Sequence, residues 1–125
     1  MKILLDTNFL VYCAKQKIDY INEINNLVRG KYELIIITPV IQELKNLMQT
    51  AKKYSDKEAA KLALQLIKLN KLKILKVEKN TYVDRILVDL INKSPKNILA
   101  TIDFDLARQV PESIIIRGKR KLQFR

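Results

Sequence analysis

The chain has 125 residues, of which 48% are hydrophobic, and 24 Lys and Arg against 13 Asp and Glu give a formal net charge of +11. This length predicts one domain over residues 1–125 with a substantial core. The apolar runs fall far short of the roughly 20 residues that span a bilayer, and Asp6 cuts off the N-terminal run before it could form a secretion signal. No membrane segment is therefore expected, and the expected location is cytoplasmic.

The absence or scarcity of certain residue types limits the reactions that this chain could catalyse. There is no histidine, which excludes histidine-dependent triads, histidine metal sites and imidazole acid–base catalysis. Only two glycines are present, so there is no glycine-rich phosphate loop. The single cysteine, Cys13, excludes an internal disulfide and is expected in the core. Any enzyme built from this chain must use carboxylates, whose mutual repulsion is usually relieved by a hard divalent cation such as Mg²⁺.

The surplus of positive charge favours polyanions as partners. It is uneven, because residues 51–80 contain nine lysines against three acids, and residues 117–125 contain five basic residues and no acid. Both stretches could bind phosphates. Alternatively, any one of these lysines lies on a solvated helix face and binds no ligand.

Short apolar runs predict buried parallel strands, and helical periodicity predicts the helices between them. The expected strands are residues 3–5, 34–37, 72–77, 98–102 and 113–116, with a final edge segment at 121–124 after Gly118. The expected helices are residues 9–14, 18–28, 39–53, 55–70, 81–91 and 104–109. This alternation predicts an α/β fold, namely a three-layer α/β/α sandwich around a mostly parallel sheet of about five strands.

Local signals refine two of these helices. Thr38 is expected to cap the third helix, with Pro39 at its first position. Ser55 and Glu58 are consistent with a capping box at the start of the fourth helix. The leucines of the fourth helix that are expected to face the core are Leu62, Leu66 and Leu69.

Four acids are expected to converge at one edge of the sheet. Asp6 and Asp103 each follow a buried strand, and ligands of open α/β sheets bind beyond the carboxyl ends of the strands. Helical spacing puts Glu43 and Asp84 at the borders of apolar faces, from which they can point into a cleft, whereas Asp89 projects to solvent. The alternative is that Asp6 and Asp103 only cap the helices that follow them. Capping and metal ligation are compatible, because each can use a different oxygen.

The order of these residues resembles that of the PIN-domain nucleases. The motifs that carry the resemblance are Leu5-Asp6-Thr7-Asn8, Thr38-Pro39 followed by Glu43, then Asp84, and finally Thr101-Ile102-Asp103-Phe104-Asp105-Leu106. Together they cover nearly the whole chain. The basic ending Ile116-Arg117-Gly118-Lys119-Arg120-Lys121 is similar to that of the branch concerned with ribosomal RNA processing. The toxin branch of toxin–antitoxin pairs shares the same acids.

The resemblance implies a metal-dependent endoribonuclease that hydrolyses RNA phosphodiester bonds, in rRNA processing or RNA turnover. It implies that one or two Mg²⁺ or Mn²⁺ ions are held by a catalytic quartet, Asp6, Glu43, Asp84 and Asp103. Asp105 would be an accessory metal ligand, and Asn8 and Thr101 would be accessory polar groups. Many relatives have a second acid where this chain has Arg85, which leaves the number of metals open. The residues expected to bind RNA phosphates are Arg117, Lys119, Arg120 and Lys121.

Other functions stay open at this point. An RNA-binding protein could keep this fold without catalysis, and a toxin ribonuclease would use the same acids. RNA is the expected partner, while a homodimer, an antitoxin or a ribosome-assembly partner each stay open. A receiver domain is disfavoured because Thr7 stands where an adjacent acidic pair is normal. A phosphotransferase of the haloacid dehalogenase type is disfavoured because position 8 is Asn8 and not aspartate.

Overall fold

A computed structural model describes residues 1–78 and 81–125, and six strands form one sheet within them. The strands are β1 Lys2–Leu5, β2 Glu33–Ile37, β3 Lys73–Leu75, β4 Asn97–Ala100, β5 Ser113–Arg117 and β6 Lys121–Phe124. Their order across the sheet is β3-β2-β1-β4-β5-β6. The first five are parallel, and β6 pairs antiparallel with β5. The expected mostly parallel α/β sheet is confirmed, and the expected edge segment is its sixth strand.

Helices connect and flank the strands. They are α1 Thr7–Gln16, α2 Tyr20–Leu27, α3 Thr38–Thr50, α4 Tyr54–Leu69, α5 Val83–Asn92 and α6 Phe104–Ala107. The helices α1, α3 and α4 pack against one another, and α5 packs against β4. Among the described residues, no helix is both long and apolar enough to cross a bilayer.

The centre of the sheet is buried on both faces, as the continuous apolar runs of its strands predict. Ile3, Ile36 and Leu99, on three adjacent strands, are fully buried. Cys13 on α1 joins the same core, and burial raises the pKa of its thiol to about 12. The expected core position of this cysteine is confirmed, and its thiol stays protonated at neutral pH.

The inward face of α4 differs from the expected one. Its buried residues are Ala59, Ala60, Ala63 and Ile67. Leu62 is 38% exposed and Leu69 is 76% exposed, so the prediction that these two leucines face the core is wrong, and Leu66 is partly buried. Small side chains let α4 pack closely against α1 and α3, because the distance between packed helices depends on the residues at the contact. The leucines line an apolar groove of about 360 Å³ instead.

Two predicted caps are also wrong. The residue before α4 is Lys53, and no side chain caps the helix, so Ser55 and Glu58 do not form a capping box at its start. Thr38 lies within α3, and its hydroxyl donates to the Val77 carbonyl at 3.2 Å and accepts from the Val77 N–H at 3.0 Å. The Thr38 side chain therefore ties the start of α3 to the chain that follows β3.

Candidate active site

The ends of β1 and β4 place two polar residues at the same edge of the sheet. Leu5 pairs with Ala100, and the Asp6 N–H donates to the Ala100 carbonyl at 3.0 Å. The Thr101 N–H continues the ladder to Ile114 at 3.0 Å. Asp6 and Thr101 consequently leave the sheet side by side at its carboxyl edge, where α/β folds bind ligands.

Asp6 is a buried carboxylate at this edge, and only 3% of it is exposed. Its Oδ2 accepts a hydrogen bond from the Thr101 hydroxyl at 2.9 Å. Asp6 occupies the position before α1, but its side chain makes no capping hydrogen bond there. The interpretation that Asp6 serves only as a cap is therefore wrong.

The environment of Asp6 raises its pKa from 3.8 to about 6. Burial is the largest cause, because it disfavours the charged form. The Thr101 hydroxyl and the Thr7 backbone lower the pKa, while the charges of Asp84 and Glu43 raise it. These two acids are thus close enough to Asp6 for their charges to affect its titration.

A cleft of about 400 Å³ joins three of the four predicted acids. It is lined by Asp6, Thr7, Asn8, Glu43, Asn46, Leu47, Thr50 and Asp84. Glu43 and Asp84 are exposed, and they reach the cleft from α3 and α5. Asp89 is also exposed but does not line this cleft within the described residues, as its helical position predicts. The structure therefore brings Asp6, Glu43, Asp84 and Asn8 together.

Thr7 is a site residue whose contact the sequence did not reveal. Its hydroxyl donates to Oε1 of Glu43, which lies 36 positions further along the chain. Thr7 is buried at the start of α1, so this bond fixes the exposed glutamate of α3 relative to β1. The only sequence signal for Thr7 was its place in the Asp6-Thr7-Asn8 run.

Asp103, the fourth predicted acid, follows β4 and caps α6. Its Oδ1 accepts hydrogen bonds from the N–H groups of Asp105 at 2.9 Å and Leu106 at 3.3 Å. Thr101 connects it to the cleft, because the Thr101 hydroxyl accepts from the Asp103 N–H at 3.1 Å while donating to Asp6. Asp103 is not among the residues of the described chain that line the cleft. It lies one hydrogen-bonded residue away from Asp6.

Asp105, the predicted accessory acid, is not among the described residues that line the cleft. Its carboxylate pairs with Arg108 at 2.9 Å, and both side chains are largely exposed. Within residues 1–78 and 81–125, no group of three Asp, Glu or Cys side chains is arranged as a metal centre. The chemistry of the cleft nevertheless suits a hard cation, since its donors are carboxylate and amide oxygens of Asp6, Glu43, Asp84 and Asn8.

The predicted RNA-binding residues lie on the β5–β6 hairpin. Arg117 pairs with Lys121 across this hairpin, and Gly118 adopts a φ of +63° in its turn. Because β5 is parallel to β1, the hairpin turn lies at the carboxyl edge, as the acids do. Arg117, Lys119, Arg120 and Lys121 are all exposed.

Arg120 also has a structural contact that sequence reasoning missed. Its guanidinium donates to the carbonyls of Gln16 and Lys17 at the C-terminal end of α1. The Tyr12 hydroxyl, also on α1, donates to the Lys119 carbonyl at 2.8 Å. These bonds fix the hairpin turn on α1. The side chains of Arg117, Lys119 and Lys121, the other basic residues of the hairpin, do not take part in them.

The fold and the cleft define a class, namely α/β domains that gather carboxylates at the carboxyl edge of a parallel sheet. A family model described as a PIN like domain matches residues 3–119, and the chain belongs to this family. Nucleases of this family generally use divalent metal ions.

Two relatives show the range of the family. The chain is 30% identical over 123 residues to ribonuclease VapC4 of Methanocaldococcus jannaschii, covering 95% of this chain and 92% of the relative. It is 31% identical over 109 residues to the human rRNA-processing protein FCF1 homologue, covering 86% of this chain. The chain spans only 50% of the length of that second protein.

Solved structures show the same fold. The PIN domain endonuclease Utp24 superimposes with a TM-score of 0.78 at 22% identity, covering 98% of this chain and 90% of that one. The VapBC2 structure from Rickettsia felis, bound to a DNA fragment from their promoter, gives a TM-score of 0.56 at 19% identity, covering 89% and 94%. At these identities the likeness concerns the fold alone.

Proposed function

We propose that this chain is a metal-dependent endoribonuclease that hydrolyses RNA phosphodiester bonds. The observation that carries the proposal is the cleft in which buried Asp6 meets Glu43 and Asp84 on a chain with a net charge of +11. The net positive charge of the chain repels cations from most of its surface. The acids grouped at one edge of the sheet therefore create a local site that favours a cation. Membership of the PIN-like family and the 30% identity to a ribonuclease support the same reaction.

Asp6, Glu43 and Asp84 would hold one or two Mg²⁺ or Mn²⁺ ions. Asp103 would contribute Oδ2, because Oδ1 accepts the two capping bonds of α6. Asp105 would act as an accessory acid once its ion pair with Arg108 opens. A bound divalent cation activates water near neutral pH and offsets charge on the phosphate.

Two threonines orient acids of the cleft. Thr101 holds one oxygen of Asp6, which leaves the second oxygen for a cation. Thr7 holds one oxygen of Glu43 in the same way. Asn8 offers an amide that can accept from or donate to the substrate. The sequence contains no histidine, and burial raises the pKa of Asp6 to about 6, so Asp6 is a group of this cleft that can carry a proton near neutral pH.

The main test compares aspartate-to-asparagine variants. Asp6→Asn and Asp103→Asn should each abolish Mn²⁺-dependent cleavage of a labelled RNA, because each removes one negative charge and little volume. Asp89→Asn is the matched control, since Asp89 is exposed on α5 outside the cleft lining and should leave cleavage unchanged. Full cleavage by both Asp6→Asn and Asp103→Asn would refute the proposal.

The hairpin is proposed to bind RNA phosphates through Arg117, Lys119, Arg120 and Lys121. Neutralising Arg117, Lys119 and Lys121 to glutamine should weaken RNA binding at low salt and flatten the dependence of binding on salt concentration. Binding should fall similarly for different RNA sequences, because phosphate contacts carry no sequence information. An unchanged salt dependence would mean that these side chains are only solvated.

Two biological roles remain proposals. The 31% identity to an rRNA-processing protein favours rRNA processing or RNA turnover. The identity to VapC4 over nearly the full length of both chains favours a toxin ribonuclease with an antitoxin partner as the second role. A homodimer and a cytoplasmic location stay predictions. Growth arrest on expression, relieved by Asp6→Asn, would support the toxin role, whereas enrichment of rRNA precursors on the trapped protein would support rRNA processing.

A further inference from the structure

Two exposed aromatic residues neighbour, along the chain, acids that are proposed for the site. Tyr82 directly precedes α5, two residues before Asp84, and is 85% exposed. Phe104 is the first residue of α6, directly after Asp103, and is 52% exposed. A single exposed aromatic residue is ordinary on a protein surface. The position of these two beside separate acids is what requires an explanation.

Most of the other aromatic residues have a structural role. Phe9 and Tyr20 pack edge to face in the core, with ring centroids 6.0 Å apart. The hydroxyls of Tyr12 and Tyr32 donate hydrogen bonds to Lys119 and to Asn25. Phe124 packs partly against the core. Core packing and these bonds account for five of the eight aromatic residues in the sequence.

The backbone places Tyr82 and Phe104 at helix starts near the carboxyl edge of the sheet. The Tyr82 carbonyl accepts from the Ile86 N–H at 3.2 Å, which places Tyr82 at the start of the first turn of α5. The capping bonds of Asp103 likewise fix the first turn of α6, where Phe104 lies. Each ring therefore projects from an ordered helix start that also carries an acid. Exposed Arg85 adds a positive charge beside Asp84.

We infer that Tyr82 and Phe104 are stacking platforms for unpaired bases on either side of the phosphate held at the acids. This inference rests on the proposed endoribonuclease function and assigns the contact with unpaired bases to these two side chains. An aromatic face stacks on any unpaired base, whereas the bases of a duplex are already stacked on their neighbours. The surrounding positive charge would hold the flanking phosphates, so stacking adds preference for unpaired RNA without sequence readout.

Binding of a metal-free protein tests the inference without cleavage. The probe is an unstructured fluorescent RNA of about 12 nucleotides, with EDTA present, measured by anisotropy. Tyr82→Leu and Phe104→Leu should each weaken binding about 5- to 100-fold, because leucine keeps apolar volume but cannot stack. Tyr82→Phe and Phe104→Tyr should restore wild-type affinity. The same RNA annealed to its complement should bind the leucine variants and the wild type alike.

Tyr54 provides the matched control. It is 75% exposed at the start of α4, and it lines a different cavity, together with Lys15 and Glu58. Tyr54→Leu should bind the RNA as the wild type does. Wild-type binding by Tyr82→Leu and Phe104→Leu, or an equal loss in Tyr54→Leu, would overturn the inference. An RNA with abasic sites gives a second readout, since it should bind the wild type more weakly but the leucine variants no worse.

The outcomes separate this inference from the proposed reaction. A wild-type protein that shows the aromatic dependence but cuts no RNA supports stacking and refutes endonuclease activity. A protein that cuts RNA equally well with leucine at both positions supports the reaction and refutes stacking. A wild-type protein that binds no single-stranded RNA overturns the inference directly.

Discussion

Replacing Asp6 by asparagine should stabilise the metal-free protein at neutral pH while it removes activity. In the folded protein the pKa of Asp6 is raised from 3.8 to about 6, chiefly by burial. Since each pKa unit corresponds to about 1.4 kcal/mol, the charged carboxylate costs about 3 kcal/mol at pH 7. The 3% exposure of the residue means that solvent screens little of this cost. Asparagine removes the charge and can still accept the Thr101 hydrogen bond.

The sign of the pH dependence follows from the raised pKa. Between pH 3.8 and about 6 the folded protein binds a proton at Asp6 that the unfolded chain has lost, so the free energy of unfolding falls as pH rises. Below this window both states are protonated, and the two proteins should be equally stable. Above it, Asp6→Asn should be more stable by up to about 3 kcal/mol.

Urea unfolding in EDTA, at several pH values from 4 to 7.5, measures this difference. Asp89→Asn should show no comparable pH-dependent gain, because Asp89 is exposed. Adding Mn²⁺ at about 100 times its Kd should stabilise the wild type by about 2.7 kcal/mol and Asp6→Asn by much less. A difference between wild type and Asp6→Asn that is constant across pH, or a less stable Asp6→Asn at pH 7, would refute the reasoning.

Substitutions at Thr101, Thr7 and Arg120 test the supporting contacts. Thr101→Val should raise the pKa of the buried aspartate further and move the acid limb of the cleavage pH profile upward, whereas Thr101→Ser should keep the wild-type profile. Thr7→Val should release the Glu43 side chain and lower kcat about tenfold, which corresponds to about 1.4 kcal/mol in the activation free energy. The free energy of unfolding should stay unchanged, and Thr7→Ser should retain activity. Arg120→Gln should lower the free energy of unfolding by about 0.5–1 kcal/mol through its lost contacts at the end of α1, an effect that Lys121→Gln should not show in the same urea titration.

The alternation of strands and helices could be predicted because each element has a recognisable local pattern of apolar residues. The runs that became β1, β2 and β4 are short, continuous and apolar, which is typical of strands in a sheet covered on both faces. Asp6 and Asp103 could be placed at one edge because parallel strands end there together. Glu43 and Asp84 could be chosen over Asp89 by their angular position on a helix.

The contacts between distant elements could not be predicted. The inward face of α4 depends on how closely α1 and α3 approach, so leucine was preferred over alanine where packing required the smaller residue. Thr38 was expected to cap its own helix because capping is local, whereas its actual partner, Val77, lies 39 residues away. Thr7 and Glu43 likewise meet only in the folded chain.

The antiparallel strand β6 gives the basic C-terminal hairpin a second, structural role at the edge of the sheet. It covers the edge of β5, whose residues 114–116 are all isoleucine. Shortening the chain before Lys121 would leave that row of backbone groups unpaired, an edge on which other chains can add strands and aggregate. Affinity for polyanions is therefore best changed by exchanging side chains along an intact hairpin, because removal of residues 121–125 would expose this edge in addition to removing Lys121 and Arg125.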